Sequence, residues 1–243
     1  MKLAIFSDIH SNLEALQAVL KDISSQNVEQ SICLGDTVGY AANPAECLQL
    51  LREFQCPILL GNHDEVAAIE LPLRHFREIA RVGVEFSRKM LSKEEKQFLI
   101  SLPYTLEFEG MQFVHASLIA PEEWDYITST SDAAWHFEEQ TKRICFCGHT
   151  HVPCIWESDN DQNIQQLKIR ESFTLEPHHT YLINVGSVGQ PRDNDNKACY
   201  VIFDTETESA EFRRVAYDLE TAILKIDEAG LPEFSGTRLL LGQ

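Results

Sequence analysis

The sequence predicts an α/β protein built as a two-sheet α/β/β/α sandwich, and three observations lead there. The first 64 residues alternate strand-like apolar runs with helical periodicity, reading β-α-β-α-β. Beyond residue 104 short strand-like segments dominate, which one sheet alone would struggle to hold. Five short strings carry histidine and aspartate in order: SDIHSN at 7–12, LGD at 34–36, GNHD at 61–64, VHAS at 114–117 and GHTH at 148–151. Each follows an apolar β-prone run, namely KLAIF, SICL, PILL, MQFV and RICFC. Chemistry at the carboxyl ends of strands is where open α/β sheets build their sites.

Each element has a local reason. The first helix is expected from a capping box, Ser11 with Glu14, and from the apolar face Leu13, Leu16, Leu20, Ile23. The second begins with Asn43 as cap, Pro44 at the first helical position and Glu46 closing the box. Residues 70–102 read as a two-helix insertion near the site, its second helix opened by Ser92 and Glu95. TLEFEGMQFVHA alternates about a Glu-Gly turn as a hairpin, and a helix is expected near 131–140. CIWES, IQQLKIR, TYLINVGS, ACYVIFD and AEFRRVAY read as strands, followed by a short helix near 218–229 and a mobile tail. No repeat or linker divides the chain, so residues 1–243 are expected to form a single domain.

Composition narrows the functional classes. The chain opens with a core-type strand, MKLAIFSD, rather than a leader pattern, and no apolar stretch approaches a membrane span, so the cytoplasm is expected. Seven cysteines form no C-x-x-C pair, and Cys33, Cys145, Cys147 and Cys199 fall in apolar runs; reduced, buried thiols are expected. A net charge of −18 repels nucleic acid and anionic membranes at long range. Any small anionic ligand would therefore need a local positive centre.

The five strings supply one. Asp8 and His10, two apart on a segment expected to be extended, project to one face and can grip one ion. Asp36 follows Gly35, whose missing side chain lets the backbone approach closely. Two dications ~3.5–4 Å apart repel by roughly 18 kcal/mol at an effective dielectric of ~20, so a bridging anion is required, and Asp36 is the candidate. Asn62 offers an amide oxygen; His115, His149 and His151 offer imidazoles. Nitrogen and oxygen ligands without thiolate suit Mn, Fe, Ni or Zn. Arg192, in the Gly186–Arg192 string, either binds a phosphate oxygen or is a surface arginine on a glycine-rich turn. His75, His136, His178 and His179 lie outside the strings and are expected at the surface or in packing.

The pattern D-x-H, GD, GNH[D/E], lone H and G-H-x-H resembles the calcineurin-like metallophosphoesterases, from Lys2 to about Phe203. LGDTVGYAANPAEC and NVGSVGQPRDND are similar to a bacterial and archaeal branch of small phosphodiesterases often described as diadenosine-tetraphosphatase-like. The resemblance implies the same sandwich and two divalent ions, one on Asp8, His10, Asp36 and His151, the other on Asp36, Asn62, His115 and His149. It implies in-line attack by a hydroxide bridging the metals, with His63 protonating the leaving alkoxide or stabilising the phosphorane. The expected substrate is a small phosphorylated metabolite or nucleotide. A nuclease, a protein phosphatase and a non-catalytic metal-binding scaffold are the competing readings. In phosphoprotein phosphatases the string is often GDxxD followed by arginine; here Gly39 and Tyr40 stand there, disfavouring that branch and leaving His63 without an identified orienting partner. Asp64 is adjacent, for catalysis or for a turn contact.

Overall fold

The protein is described from a computed structural model that covers residues 1–69, 72–74, 76–169 and 172–243. Among these, eleven strands form two mixed sheets. The first contains β1 (Lys2–Phe6), β2 (Gln30–Cys33), β8 (Ser172–Thr174), β10 (Ala198–Asp204) and β11 (Ser209–Val215), in the order β2-β1-β10-β11-β8. The second contains β3 (Thr105–Phe108), β4 (Met111–Val114), β5 (Ile144–Cys147), β6 (Cys154–Ser158), β7 (Ile164–Leu167) and β9 (Thr180–Asn184), ordered β3-β4-β5-β9-β6-β7.

The sheets stack through one apolar layer. Leu3, Ile5, Val201 and Phe203 of the first meet Phe113, Phe146, Ile155 and Ile183 of the second, all with essentially no exposed surface. Each such side chain contributes ~1.5–3 kcal/mol by leaving water. The outer face of the first sheet is covered by α1 (Leu13–Ser24) and α2 (Pro44–Phe54), through Leu16, Val19, Leu20, Cys47 and Leu51. α6 (Thr130–Glu139) covers the second through Ala133, packed with Val114, Cys145 and Leu182. This is the expected α/β/β/α sandwich. No helix among the described residues is long and apolar enough to cross a membrane.

Parallel pairing positions the site. β1 and β2 run parallel with Phe6 opposite Cys33, so the loops after both leave one edge together. β4, β5 and β9 are mutually parallel neighbours and deliver their following residues to the same edge of the second sheet.

Several local expectations need correction. Asn12, not Ser11, caps α1, its side chain accepting from the Ala15 N–H at 3.1 Å. Asn43 does precede α2, but its amide bonds Glu46 at 3.0 Å instead of a helix N–H. The PILL run is no strand; it touches β2 through a single Cys33–Ile58 bridge, because Pro57 has no N–H to extend the ladder. The chain then turns into α3 (Asn62–Ala68), which absorbs the GNHD string. The segment read as a two-helix insertion contains α4 (Glu78–Met90) and α5 (Lys93–Ile100), the latter opened by the Ser92–Glu95 capping box. The segment expected to be a tail forms α8 (Glu233–Leu241), which packs on α7 (Leu219–Glu228) through Ala222, Ile226, Leu231 and Leu239. All seven cysteines are free, and burial raises their thiol pKa values, that of Cys56 to about 12.

Candidate metal site

The loop after β1 does not run extended through Asp8 and His10. Both take left-handed backbone, with φ of 56° and 50°. The loop instead follows its neighbour: the Asp8, His10 and Ser11 N–H groups donate to Gly35 O, Asp36 O and Thr37 O at 2.9–3.0 Å. Asp36, His149 and His151 are also left-handed, at 52°, 66° and 62°. Such residues cost on the order of 1–3 kcal/mol each and persist where their surroundings over-determine them. Here the strain turns short side chains toward one point between the two sheets.

The buried side chains form two clusters that meet at Asp36. Asp8, His10 and His151 form one and Asp36, His115 and His149 the other, each with potential donor atoms within 4.8 Å of one another, and a third such group, His10, Asp36 and His63, overlaps both. Asp36 Oδ2 lies 3.6 Å from His10 Nε2 and 3.4 Å from His115 Nε2, touching both sets. Its Oδ1 accepts the His63 main-chain N–H at 2.8 Å. Asp8 Oδ2 accepts the His149 N–H at 2.9 Å, stitching the sheets, while Asp8 Oδ1 is buried without a hydrogen bond. Asn62 Oδ1 is likewise buried and unpartnered.

Three imidazoles are held by main-chain carbonyls. His10 Nδ1 faces Val38 O at 3.0 Å, His115 Nδ1 faces Leu34 O at 3.0 Å, and His151 Nδ1 faces Gln190 O at 2.6 Å. A carbonyl only accepts, so each Nδ1 carries a proton, and each ring, when its Nε2 is not itself protonated, presents an Nε2 lone pair. His10 and His151 bring two such lone pairs within 3.0 Å, and His115 Nε2 lies 3.2 Å from His149 Nδ1. Lone pairs facing each other beside two carboxylates repel unless positive charge lies among them. The donor set fits divalent cations.

The titration of these groups reports the same demand. Burial favours neutral carboxyls, yet His151 beside Asp8 and His115 beside Asp36 hold both carboxylates below their usual range. Burial also opposes charge on His115, but Asp36 outweighs it and raises the imidazole to about 9, so that with no cation present a proton on Nε2 supplies the positive charge beside Asp36. Burial lowers His149 to about 3 and His63 to about 4. Asp64, in the same buried region, is raised to about 7 by burial and by Asp36.

His63 is oriented by shape. Its ring packs against Tyr40 at 4.8 Å, His10 at 4.8 Å and Phe76 at 5.2 Å, and its buried Nδ1 has no hydrogen-bond partner. Gly39 explains the departure noted in the sequence: a Cβ there would lie 2.4 Å from His63 Nδ1, and φ is +96°. The histidine ring occupies the space a side chain at position 39 would need. Asp64 makes the turn contact, accepting from Val38 N–H at 3.1 Å and Gly61 N–H at 3.3 Å. Gly39→Ala is therefore expected to lower kcat and destabilise the fold by roughly 1–3 kcal/mol, with metal content maintained. Parallel measurement of kcat, urea midpoint and metal content checks this, and an unchanged kcat would contradict it.

The clusters open into a cavity of about 700 Å³ lined by Asn62, His63, His149 and Arg192. Arg192 donates to Tyr40 Oη at 3.2 Å and Gln190 Oε1 at 2.9 Å. The motifs did not reveal the aromatic wall, Tyr40, Phe76, Trp124 and Tyr126, or Arg238 from α8. Tyr126 lies over His149 at 4.0 Å, but its string resembles ordinary loop sequence. His136 packs in the core, accepting the Leu118 N–H at 3.3 Å. His179 bonds Glu157 at 2.9 Å and His178 is exposed, while His75 lies outside the described residues.

A two-sheet sandwich with this histidine and aspartate constellation at its strand ends defines a metallophosphoesterase. The calcineurin-like phosphoesterase superfamily domain matches residues 1–208, and the chain belongs to that family. An uncharacterized protein of Methanocaldococcus jannaschii is 39% identical over 246 residues, covering 99% of this chain and 98% of its own. A metallophosphoesterase from Sphaerobacter thermophilus superposes with a TM-score of 0.88 at 35% identity, covering all of both chains. A hypothetical protein from Pyrococcus horikoshii shares the fold, with a TM-score of 0.80 at 18% identity over 100% of this chain and 98% of that one.

Proposed function

We propose that this enzyme is a phosphodiesterase or phosphatase of small phosphorylated metabolites or nucleotides, working with two divalent ions, Mn, Fe, Ni or Zn. Asp8, His10, Asp36 and His151 are assigned to one ion, and Asp36, Asn62, His115 and His149 to the other. The observation that carries the reading is the position of Asp36 Oδ2, within 3.6 Å of the histidines of both clusters. When bound, the metals supply Lewis acidity and lower the pKa of water to a nucleophilic range.

The chain's own residues do the rest. Asp36 screens the two cations from each other. His63, its Nδ1 against Gly39, is assigned to the leaving oxygen through Nε2, protonating it or stabilising the phosphorane charge; because burial lowers its pKa to about 4, the acid role requires the substrate's negative charge to hold the imidazolium. Arg192 is assigned to a phosphate oxygen through its guanidinium. A cavity of about 700 Å³ suits a small ligand, and a net charge of −18 opposes a long polyanion. Small phosphodiesters and nucleotide phosphoanhydrides are therefore favoured over long DNA or RNA. The cytoplasm is the proposed compartment, where seven free cysteines would remain reduced.

The test is metal stoichiometry joined to turnover. Protein reconstituted with Mn, Ni or Zn is expected to hold two ions per chain and to hydrolyse bis(4-nitrophenyl) phosphate. Chelation should abolish that activity and metal restore it. Reproducible binding of one ion or none would overturn the dinuclear reading, and efficient degradation of long nucleic acid at physiological salt would overturn the substrate class.

A further inference from the structure

The cavity wall carries more positive charge than the reaction just described uses, which draws on Arg192 alone. In a chain with 38 acidic residues against 20 lysines and arginines, this cavity is lined by Arg77, Arg192 and Arg238, with Glu123 as its acidic lining residue. Elsewhere arginines meet carboxylates: Arg213 binds Asp22 at 2.8 Å and Arg214 binds Asp193. Arg192 here donates to Tyr40 Oη and Gln190 Oε1 rather than to a carboxylate, while Arg238 Nε donates at 2.5 Å to the oxygen of the final residue, Gln243, leaving its terminal nitrogens for a ligand. Arg192 Nε is buried with no hydrogen-bond partner, a donor that a ligand oxygen would satisfy.

The two guanidinium groups are held beside the reacting end. Arg192 Cζ lies 5.7 Å and Arg238 Cζ 5.6 Å from the Tyr40 ring centre, and that ring lies 4.8 Å from His63. The position of α8 is fixed at both ends of this contact. Leu239, next to Arg238, packs with Ala41, next to Tyr40. Gly242 O accepts the Asn194 N–H at 2.9 Å, tying the end of α8 to the loop that carries Arg192. Burial, followed by the charge of Arg192 and, more weakly, of Arg77, lowers the Arg238 pKa against the opposing pull of Tyr40, as expected where like charges converge in a partly buried place.

We infer that Arg238, presented by α8, is a specificity-determining residue that with Arg192 holds a second phosphate of the substrate, distal to the one hydrolysed. The inference rests on the phosphoesterase reading of the same pocket and deepens it. The substrate class becomes a small molecule with at least two phosphates, a phosphoanhydride or a bisphosphorylated compound, rather than a lone monoester. Paired guanidinium forks match phosphate oxygens bidentately, which a single arginine beside two metals cannot do for two phosphates. The family match ends at residue 208, so Arg192 lies within it and Arg238, on α8, beyond it.

The test compares ligands differing by one phosphate. AMP and α,β-methylene-ADP are titrated calorimetrically into metal-loaded wild type, Arg238→Ala, Arg238→Lys and Arg192→Ala, and the same ligands are run as inhibitors of bis(4-nitrophenyl) phosphate turnover. Wild type is expected to bind the diphosphate analogue at least tenfold more tightly than AMP. Arg238→Ala and Arg192→Ala should each reduce that ratio to threefold or less, and Arg238→Lys should retain part of it. Melting temperature and metal content serve as folding controls; if Arg238→Ala does not fold, Arg238→Lys and Arg192→Ala carry the comparison. A ratio unchanged in the variants, or equal weakening of both ligands, overturns the inference. Absence of metal-dependent turnover in wild type would instead overturn the phosphoesterase reading, while the binding ratio would still report on the arginine pair.

Discussion

Asp36→Asn is expected to reduce phosphodiester turnover by roughly 10³-fold or more and to leave the protein with one bound metal ion or none. The substitution preserves size, so the loss is one of charge and orientation. Asp36 Oδ1 already accepts the His63 N–H at 2.8 Å. An asparagine must keep its carbonyl oxygen there, because its amide would otherwise oppose another donor. The amide then replaces Oδ2, the atom 3.4–3.6 Å from His115 and His10. N–H groups would point at the place where positive charge has to be stabilised. Two dications at ~3.5–4 Å would keep a repulsion of roughly 18 kcal/mol without the anion that screens it. Elemental analysis after reconstitution, with steady-state rates on the same sample, decides the matter. Two retained ions and a near-wild-type rate would remove Asp36 from its assigned role.

The architecture was legible because its signals are local and redundant. KLAIF, MQFV and RICFC are short apolar runs that can be buried only as strands or buried helix turns, and the residues after them are too polar to continue the run. PILL misled for the same reason. Its apolar content is real, and Leu59 and Leu60 are buried, yet Pro57 and the immediate start of α3 prevent a ladder. Burial was readable there and hydrogen bonding was not.

The histidine and aspartate strings were legible as a set because four of the five place polar donors directly after a strand, GNHD opening α3 instead. How they converge was not. Alternation along an extended segment predicts that Asp8 and His10 face one side, but the structure brings them together through left-handed residues at both positions. Those conformations depend on hydrogen bonds to the loop at 35–37, a partner about thirty residues away that periodicity does not encode. Gly39 shows the same limit from the other side. The sequence reveals a missing carboxylate; only the packing shows that His63 fills its place. Arg238 was hidden for a third reason, since α8 has weak amphipathic patterning and gains its position from α7 and the loop at 194. Its chemistry is legible only once those surfaces meet.

His63→Ala is expected to retain both metal ions and to lower kcat by roughly 10²–10⁴-fold, the usual reach of acid catalysis. Retention is the discriminating part, because His63, His10 and Asp36 also lie close enough for an ion, with donor atoms within 4.8 Å. Against a ligand role stands the way the ring is held: Nδ1 is packed on Gly39, and Tyr40 and Phe76 flank it. Removing the imidazole leaves the Asp36 contact intact, since that bond comes from the His63 main-chain N–H. The substrate series adds a second readout. A 4-nitrophenolate leaving group departs with little need of a proton, whereas an alkoxide must be protonated as it leaves. If His63 delivers that proton, His63→Ala should depress turnover of an alkyl phosphodiester more than that of its 4-nitrophenyl counterpart. Equal losses on both, with metals retained, would make the residue a stabiliser of phosphorane charge rather than an acid. Loss of an ion from the variant would make it a ligand.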